Sequence, residues 1–410
     1  MQTHLADFIK DTPQGREADA ILRKCVHCGF CLATCPTYQL LGDELDGPRG
    51  RIYLIKQTLE GQTPTAKTQL HLDRCLTCRA CETTCPSGVQ YGRLLDIGRH
   101  TVDMQTRRSP LDLLVRKALR AITTNRVIFA LLLKFGQRVS PLLPRALKRK
   151  VPHPVPTTAW PGGMHVRRML VLEGCVQPSL SPNTNAAAAR VLDRLGIMLA
   201  RAPQAGCCGA IPHHLDAQHE GLDYMRHNID MWWPYIEQGV EAIVITASGC
   251  GVMVADYGHL LADDQAYAAK ARRVSALAKD IGEIIFDEKD RLKAIAPQIS
   301  RHTPDRIAFH SPCTLQHGLK MPGKVEALLA DFGFDLTTVP DMHLCCGSAG
   351  TYSILQPQLS QQLLKNKITA LESDQPSVIV TANIGCQSHL QTATDLPVIH
   401  WIEVLDARLG

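Results

Sequence analysis

Four short apolar runs punctuate the last 250 or so positions of the chain: MLVLEGC ending at Cys175, AIVITASGC at Cys250, RIAFHSPC at Cys313 and SVIVTANIGC at Cys386. Each has strand length and is rich in β-branched residues, so each predicts a buried strand with a cysteine at its carboxyl end. The first and third are followed by segments of helical period, NTNAAAARVLDRLGI (183–197) and KVEALLADFGFDL (324–336), in which Gly196 and Gly333 are placed to end the helix. Strand, helix, strand, helix, strand, occurring twice, predicts two similar α/β halves with mostly parallel strands. The first hundred residues lack such runs. There GPRGRIYLIKQTLEG and TQLHLDR predict short helices with polar caps.

Between these regions, LDLLVRKALRAI and VIFALLLKFGQRVSPLLPRALKRK interleave apolar and basic positions at helical spacing. VPHPVPTTAWPGG (151–163) follows, and its prolines predict an extended linker. The pattern therefore divides the chain into a small amino-terminal domain (1–105), a basic amphipathic and proline-rich linker (106–165), and two halves (166–300 and 301–410). A chain of 410 residues exceeds what one core usually fills, which agrees with several domains. The longest apolar run of the basic region, Val127 to Leu133, is seven residues and is too short to cross a bilayer.

Sixteen cysteines change the picture. The amino terminus, MQTHLADFIKDTPQGREADAILRK, does not read as a secretory signal, so an oxidising compartment and many disulfides are not expected. The spacing points to metal instead. Cys25-x2-Cys28-x2-Cys31-x3-Cys35-Pro36 recurs as Cys75-x2-Cys78-x2-Cys81-x3-Cys85-Pro86, offset by 50 residues at every cysteine. Three thiolates two residues apart wrap a loop around one cubane, and the fourth, followed by proline, turns toward a second site. Cys25, Cys28, Cys31 and Cys85 are thus assigned to one 4Fe-4S cluster, and Cys75, Cys78, Cys81 and Cys35 to another. Val26, Phe30 and Leu76 are read as apolar shielding of these loops, and His27 as a neighbouring or surface residue. Zinc, usually held by two C-x2-C pairs, has no need of the third cysteine.

The other eight cysteines form two matched sets: Cys175, Cys207, Cys208 and Cys250, and Cys313, Cys345, Cys346 and Cys386. Both intervals from first cysteine to pair are 32 positions, and a glycine follows each pair. Each set can hold one metal or redox centre, or one half can work while the other is a structural relic.

This second pattern resembles the CCG cysteine-rich domain of heterodisulfide reductase B-type subunits and of iron–sulfur subunits of flavin dehydrogenases. In detail, CVHCGFCLATCPTYQLLGDELDGPRGRIYLIKQ, LTCRACETTCPSGVQY, LEGCVQPSLSPNTN, AGCCGA, SGCG, HLCCGSAGTY and TANIGCQ resemble the iron–sulfur subunit of bacterial glycolate oxidase. The resemblance implies a multidomain chain of α+β and α/β character, a small helical two-cluster ferredoxin-like domain followed by two α/β CCG halves. It also implies flavin-binding partner subunits that oxidise glycolate to glyoxylate, with this chain carrying electrons toward a quinone. Subunits of lactate or glycerol-3-phosphate dehydrogenases share the plan, and a CCG-type disulfide or quinone reductase is the alternative. The chain departs from the fuller CCG pattern in having Met253 and His389 where a further cysteine would stand. His389 is read as a helix-surface residue.

No G-x-G-x-x-G, G-x-x-x-x-G-K-[ST] or G-x-S-x-G occurs, so no dinucleotide, nucleoside triphosphate or serine-hydrolase site is expected, nor any catalytic residue acting on substrate alone. The net charge of +5 conceals a segment, Arg107 to Lys150, with twelve basic residues against the single acid Asp112. That segment reads as a membrane-surface or partner-docking element, or as a helical connector packed on its own domains. With only 5% aromatic residues, nucleic acid is not an expected partner. The expected location is the cytoplasmic face of the inner membrane, peripherally bound, or the cytoplasm.

Overall fold

The computed structural model describes residues 1–144, 148–295 and 306–410. Its packing divides the chain into two compact units, Met1–Lys117 with His343–Lys367, and Ala118–Met342 with Ile368–Gly410. These boundaries differ from those read off the hydrophobic pattern. The first unit extends past residue 105 into the basic segment, and it also takes in the second cysteine pair from a region 230 or so positions away in the chain.

The first unit is helical. Helix α1 (Pro13–Lys24) starts at Thr12, whose hydroxyl accepts from Gly15 N–H, with proline at the first position. Helices α2 (Pro36–Leu41), α3 (Pro48–Leu59), α4 (Ala66–Asp73), α5 (Ala80–Thr84) and α6 (Tyr91–Gln105) follow. Ile21, Leu22, Ile55, Leu59, Leu94 and Leu95 form its dry core. Helices α3 and α6 cross where Gly98 meets Ile55; a Cβ on Gly98 would lie 2.5 Å from Ile55 Cγ1. Helix α7 (Pro110–Thr124) begins in this unit. Arg108 and Arg116 are held there by Asp73, Asp103 and Asp112, so part of the basic segment is spent on internal ion pairs.

The second unit contains both parallel sheets. Strands β1 (Arg167–Leu172), β2 (Ile197–Arg201), β3 (Ile243–Ile245) and β4 (Ala278–Asp280) form one sheet in the order 2-1-3-4. Strands β5 (Arg306–His310), β6 (Asp335–Leu336), β7 (Val378–Thr381) and β8 (Val398–His400) form another in the order 6-5-7-8. All six pairings are parallel. The continuous apolar strands are what a sheet covered on both faces requires. One core runs through both halves, from Val171, Ile197 and Val244 to Ile307, Val380 and Trp401. Ala186–Ala189 are small enough for helix Asn183–Arg194 to pack closely on helix Trp401–Leu409, and Arg190 Nε donates to Asp406 Oδ2 at 2.8 Å across that contact. Gly196 and Gly333, at φ of 70° and 79°, end their helices as the pattern predicts.

At the carboxyl ends of β3 and β7 the halves are tied together. Ser248 N–H donates to Ala382 O at 3.1 Å, and Gly249 N–H donates to Asn383 Oδ1 at 3.3 Å. His400 Nε2 donates to Thr246 O at 2.8 Å while its Nδ1 accepts from Ile402 N–H, an arrangement that only the neutral ring allows. Burial holds His400 well below its usual range, at about 3.

Residues 151–163, expected to be extended, have no helix or strand. The preceding segment is helical: α7 is followed by α8 (Arg126–Val139), capped by Asn125, whose side chain accepts from Val127 and Ile128 N–H. No residue of α8 is fully buried, but Phe129, Ala130 and Leu133 along one face are half-buried, and Arg126 Nε donates to Gly174 O at 2.7 Å; the opposite face is exposed. No described helix is long and apolar enough to cross a membrane.

Candidate metal and electron-transfer centres

Two pockets in the first unit collect the eight amino-terminal cysteines. One, of about 440 Å³ and partly open to solvent, is lined by Cys25, Cys28, Cys31 and Cys85. The other, of about 310 Å³, is lined by Cys35, Cys75, Cys78 and Cys81. Cys81 also reaches the wall of the first. Each repeat therefore sends its fourth cysteine to the other repeat's pocket. The local reason is the proline that follows: Cys35 and Cys85 are extended (ψ of 113° and 114°), and Pro36 opens helix α2 at once.

The three-cysteine loops share a backbone although their residues differ. His27 and Gly29 have φ of 55° and 85°, and their counterparts Thr77 and Arg79 have φ of 52° and 59°. Left-handed backbone at three non-glycine positions costs about 1–2 kcal/mol each, so the loop conformation must be imposed from outside local preference. Thr77 N–H donates to Cys75 Sγ at 3.4 Å, an amide–sulfur contact that tunes a metal-bound thiolate. Burial, reinforced by Cys25, pushes the Cys31 thiol up to about 11. Four soft donors gathered around one pocket fit an iron–sulfur core, whose metal charge favours the ionised form of a thiol.

The pockets differ in their surroundings. Arg51, fully buried, lines the second, where its Nε donates to His71 O at 2.7 Å and its Nη2 to Thr37 Oγ1 at 3.1 Å. Asp46 lies 3.4 Å from the same Nη2, and is also held by Arg74 Nη1 at 2.8 Å and His71 Nδ1 at 3.1 Å. Although burial opposes its charge, Cys75, Tyr91, Cys35 and Asp46 hold the Arg51 guanidinium above its ordinary value. Leu76 is buried beside this pocket, in keeping with a shielding role. Val26 and Phe30 are not: they are 68% and 62% exposed. The spacing gave all three the same reading, but only Leu76 is covered by neighbouring elements. His27 lines the first pocket, and burial lowers its pKa.

The first CCG set converges within the second unit. Cys207 meets both Cys175 and Cys208, and Cys208 meets Cys250. These contacts push Cys207 up and hold Cys208, placed between two thiol donors, well below its usual range. Cys250 lies in the first turn of helix Ser248–Ala255 and Cys386 in that of Ile384–Gln391, one step beyond the strand ends where the pattern put them. Asn228 escaped the sequence reading: from helix Gln218–Glu237 its Nδ2 donates to Cys207 O at 2.8 Å, and its Oδ1 accepts from Gly206 N–H at 2.8 Å. Tyr257 Oη donates to Cys208 O at 2.9 Å. Neither carries a motif signal.

The second set is divided, with Cys345 and Cys346 in the first unit and Cys313 and Cys386 in the second. Its pair keeps the geometry of its counterpart. Gly347 N–H donates to Cys345 Sγ and Gly209 N–H to Cys207 Sγ, both at 3.4 Å. Both glycines have positive φ (87° and 85°), and a Cβ would lie 2.7 Å from Ser360 O or 2.6 Å from Gly221 O. Nothing but glycine fits there. His310, at the end of β5, places a ring nitrogen within 4.8 Å of Cys386 Sγ and was also missed. His389, expected on a helix surface, is buried, and Met253 belongs to the apolar core. No disulfide links any of the sixteen cysteines, all of which are described.

Taken together, the crossed pockets and paired parallel sheets define a two-cluster iron–sulfur protein with a duplicated cysteine-rich domain. Residues 21–89 match the family described as "4Fe-4S dicluster domain", and residues 169–255 and 307–391 match "Cysteine-rich domain". Across all 410 residues the chain is 55% identical to the glycolate oxidase iron-sulfur subunit of Escherichia coli (strain K12), covering 99% of that protein. It is 28% identical over 394 residues to the probable glycolate oxidase iron-sulfur subunit of Bacillus subtilis (strain 168), covering 87% of it. Lactate utilization protein A of the same strain is 25% identical over 240 residues, which is 57% of this chain and 97% of that protein. The chain belongs to the glycolate oxidase iron–sulfur subunit family, and its cofactors are two 4Fe-4S clusters.

Proposed function

We propose that this chain takes electrons from flavoprotein subunits that oxidise glycolate, and delivers them to a quinone-type acceptor at the cytoplasmic face of the inner membrane. The observation that carries the electron-transfer reading is the crossing of Cys35 and Cys85 between two adjoining four-cysteine pockets. Oxidation of glycolate to glyoxylate releases two electrons and two protons to the flavin, and reduction of a quinone to a quinol takes up two of each. The 4Fe-4S cores supply one-electron carriage between them.

The chain's own residues do the rest. Cys25, Cys28, Cys31 and Cys85 hold one core, and Cys75, Cys78, Cys81 and Cys35 hold the other. Leu76 and Tyr91 exclude water from the second, and Arg51 places a buried positive charge beside it. Cys175, Cys207, Cys208 and Cys250 form the donor set for a further iron–sulfur or other metal centre, with Asn228 and Tyr257 fixing the backbone of the pair. Cys313, Cys345, Cys346 and Cys386 occupy the matching sequence positions of the second repeat. Anaerobic iron and sulfide analysis with EPR tests the assignment. Iron depletion is expected to abolish quinone-linked glycolate oxidation by the reconstituted complex and leave the flavoprotein folded; unchanged turnover refutes it.

The membrane part rests on α8. Val127, Ile128, Leu131, Leu132 and Phe135 are exposed along one stripe, with exposed Lys134 and Arg138 beside them and no acid in the helix. An apolar face bordered by cations suits the headgroup layer of an anionic bilayer. Sedimentation with anionic vesicles, weakening as salt rises, is the expected behaviour, and salt-insensitive association refutes it.

A further inference from the structure

The ferredoxin-type repeat contains its own internal comparison. At an offset of 50 residues, Val26 corresponds to Leu76, Phe30 to Ala80 and Pro86 to Pro36. Val26 is 68% exposed and Leu76 4%; Phe30 is 62% exposed and Ala80 1%. Pro86 is exposed and Pro36 buried. Among the residues lining the Cys35/Cys75/Cys78/Cys81 pocket none is exposed, whereas Cys28, a ligand position of the other pocket, is. Identical spacing and matching loop backbone thus lead to opposite burial at three equivalent pairs, Val26 and Leu76, Phe30 and Ala80, and Pro86 and Pro36.

We infer that the rim formed by Val26, Cys28, Phe30 and Pro86 is the surface on which the electron-donating flavoprotein subunit docks. Large apolar side chains exposed together mark an interaction surface, and an aromatic is a common anchor in one. The occupant follows from what the rim surrounds, because these four residues form the outer wall of the pocket of Cys25, Cys28, Cys31 and Cys85. A partner seated there comes within reach of a redox centre, so its chemistry is that of an electron donor. The rim itself carries no charge, and Arg49 behind it is engaged by Glu44 at 2.6 Å, so an anionic lipid surface has nothing there to grip.

The other pocket has a different neighbour. In the same unit, Tyr352, six residues beyond Cys346, is buried and donates its hydroxyl to Arg74 O at 3.1 Å, next to Cys75. The loop carrying the second cysteine pair is therefore anchored at the Cys35/Cys75/Cys78/Cys81 pocket, while the rim of the other pocket is exposed. The four-cysteine sites divide the work accordingly, one exchanging with the partner protein and the other serving the interior.

This inference rests on the proposed function, and its test separates the two. Anaerobically reconstituted subunit is titrated with its own flavoprotein subunit by interferometry, comparing wild type, the Val26→Ser/Phe30→Ser double variant and Met104→Ser, a control at another exposed apolar residue (65% exposed) of the same unit. The double variant is expected to bind about tenfold or more weakly, as loss of an apolar anchor implies. Its iron content and EPR signals with dithionite should match wild type, and the control should bind normally. Wild-type affinity in the double variant, or equal weakening in the control, overturns the docking surface alone. Failure of the wild-type subunit to bind or oxidise the reduced flavoprotein overturns the underlying function.

Discussion

Replacing Arg51 by methionine tests whether the two cluster sites differ electrostatically. The side chain is fully buried in the wall of the Cys35/Cys75/Cys78/Cys81 pocket, which has a volume of about 310 Å³. A guanidinium in the wall of a cluster-sized site lies on the order of 6 Å from its centre; at an effective dielectric of about 20 this is about 3 kcal/mol of attraction for one added electron. For a one-electron couple that converts to a fall in reduction potential on the order of 100 mV when the charge is removed. Asp46 keeps Arg74 and His71 as partners, so the variant does not strand a buried carboxylate. EPR-monitored redox titration of the anaerobic protein resolves the two clusters. The Cys35-set signal should move to lower potential and the other should stay nearly still, while Arg51→Lys should keep most of the wild-type value. A shift below about 20 mV, or equal movement of both signals, refutes the reasoning.

Cysteine-to-serine variants test the crossed assignment: Cys85→Ser should disturb the signal of the Cys25/Cys28/Cys31 cluster and Cys35→Ser that of the other, and the reverse pattern in EPR rules the crossing out. The Cys207→Ser/Cys208→Ser variant should remove any metal held by the first CCG set and leave both ferredoxin-type EPR signals intact; loss of those signals would show that the sets are not independent. Burial raises Asp280 to about 7, so its contribution to stability is present below the unfolded carboxylate range and is lost as pH rises through 7. His400, held at about 3, acts in the opposite sense, because the unfolded ring takes up a proton below about 6.5 while the folded one does not. Near pH 4–6.5 the two nearly cancel; Asp280→Asn, which keeps the cap on Gly282 N–H, should unmask a rise of about 1.4 kcal/mol per pH unit in denaturant titrations, and a flat profile would contradict it. Leu131→Ser/Phe135→Ser in α8 should reduce anionic-vesicle binding at least several-fold with circular dichroism unchanged, and undiminished binding would exclude this face as the membrane contact.

What the sequence determined by itself is whatever depends on separation along the chain. The C-x2-C-x2-C-x3-C-P spacing sets which sulfurs share a loop and which one the proline turns away, so the crossed pockets could be read before any fold was known. The two parallel sheets were legible for a similar reason, because a buried parallel strand must be continuously apolar and its helix must stop near a glycine such as Gly196 or Gly333. Burial was not legible, because it depends on which distant element covers a position. Val26 and Leu76 look alike in sequence, yet one faces solvent and the other is enclosed. His389 sits in a polar stretch and is buried all the same. Nothing in the helical segment GPRGRIYLIKQTLEG singles out Arg51 until Asp46, Thr37 and His71 fold around it. Only tertiary structure turned two copies of one motif into two unlike sites, because solvent exclusion and buried charge belong to the assembled fold rather than to the spacing.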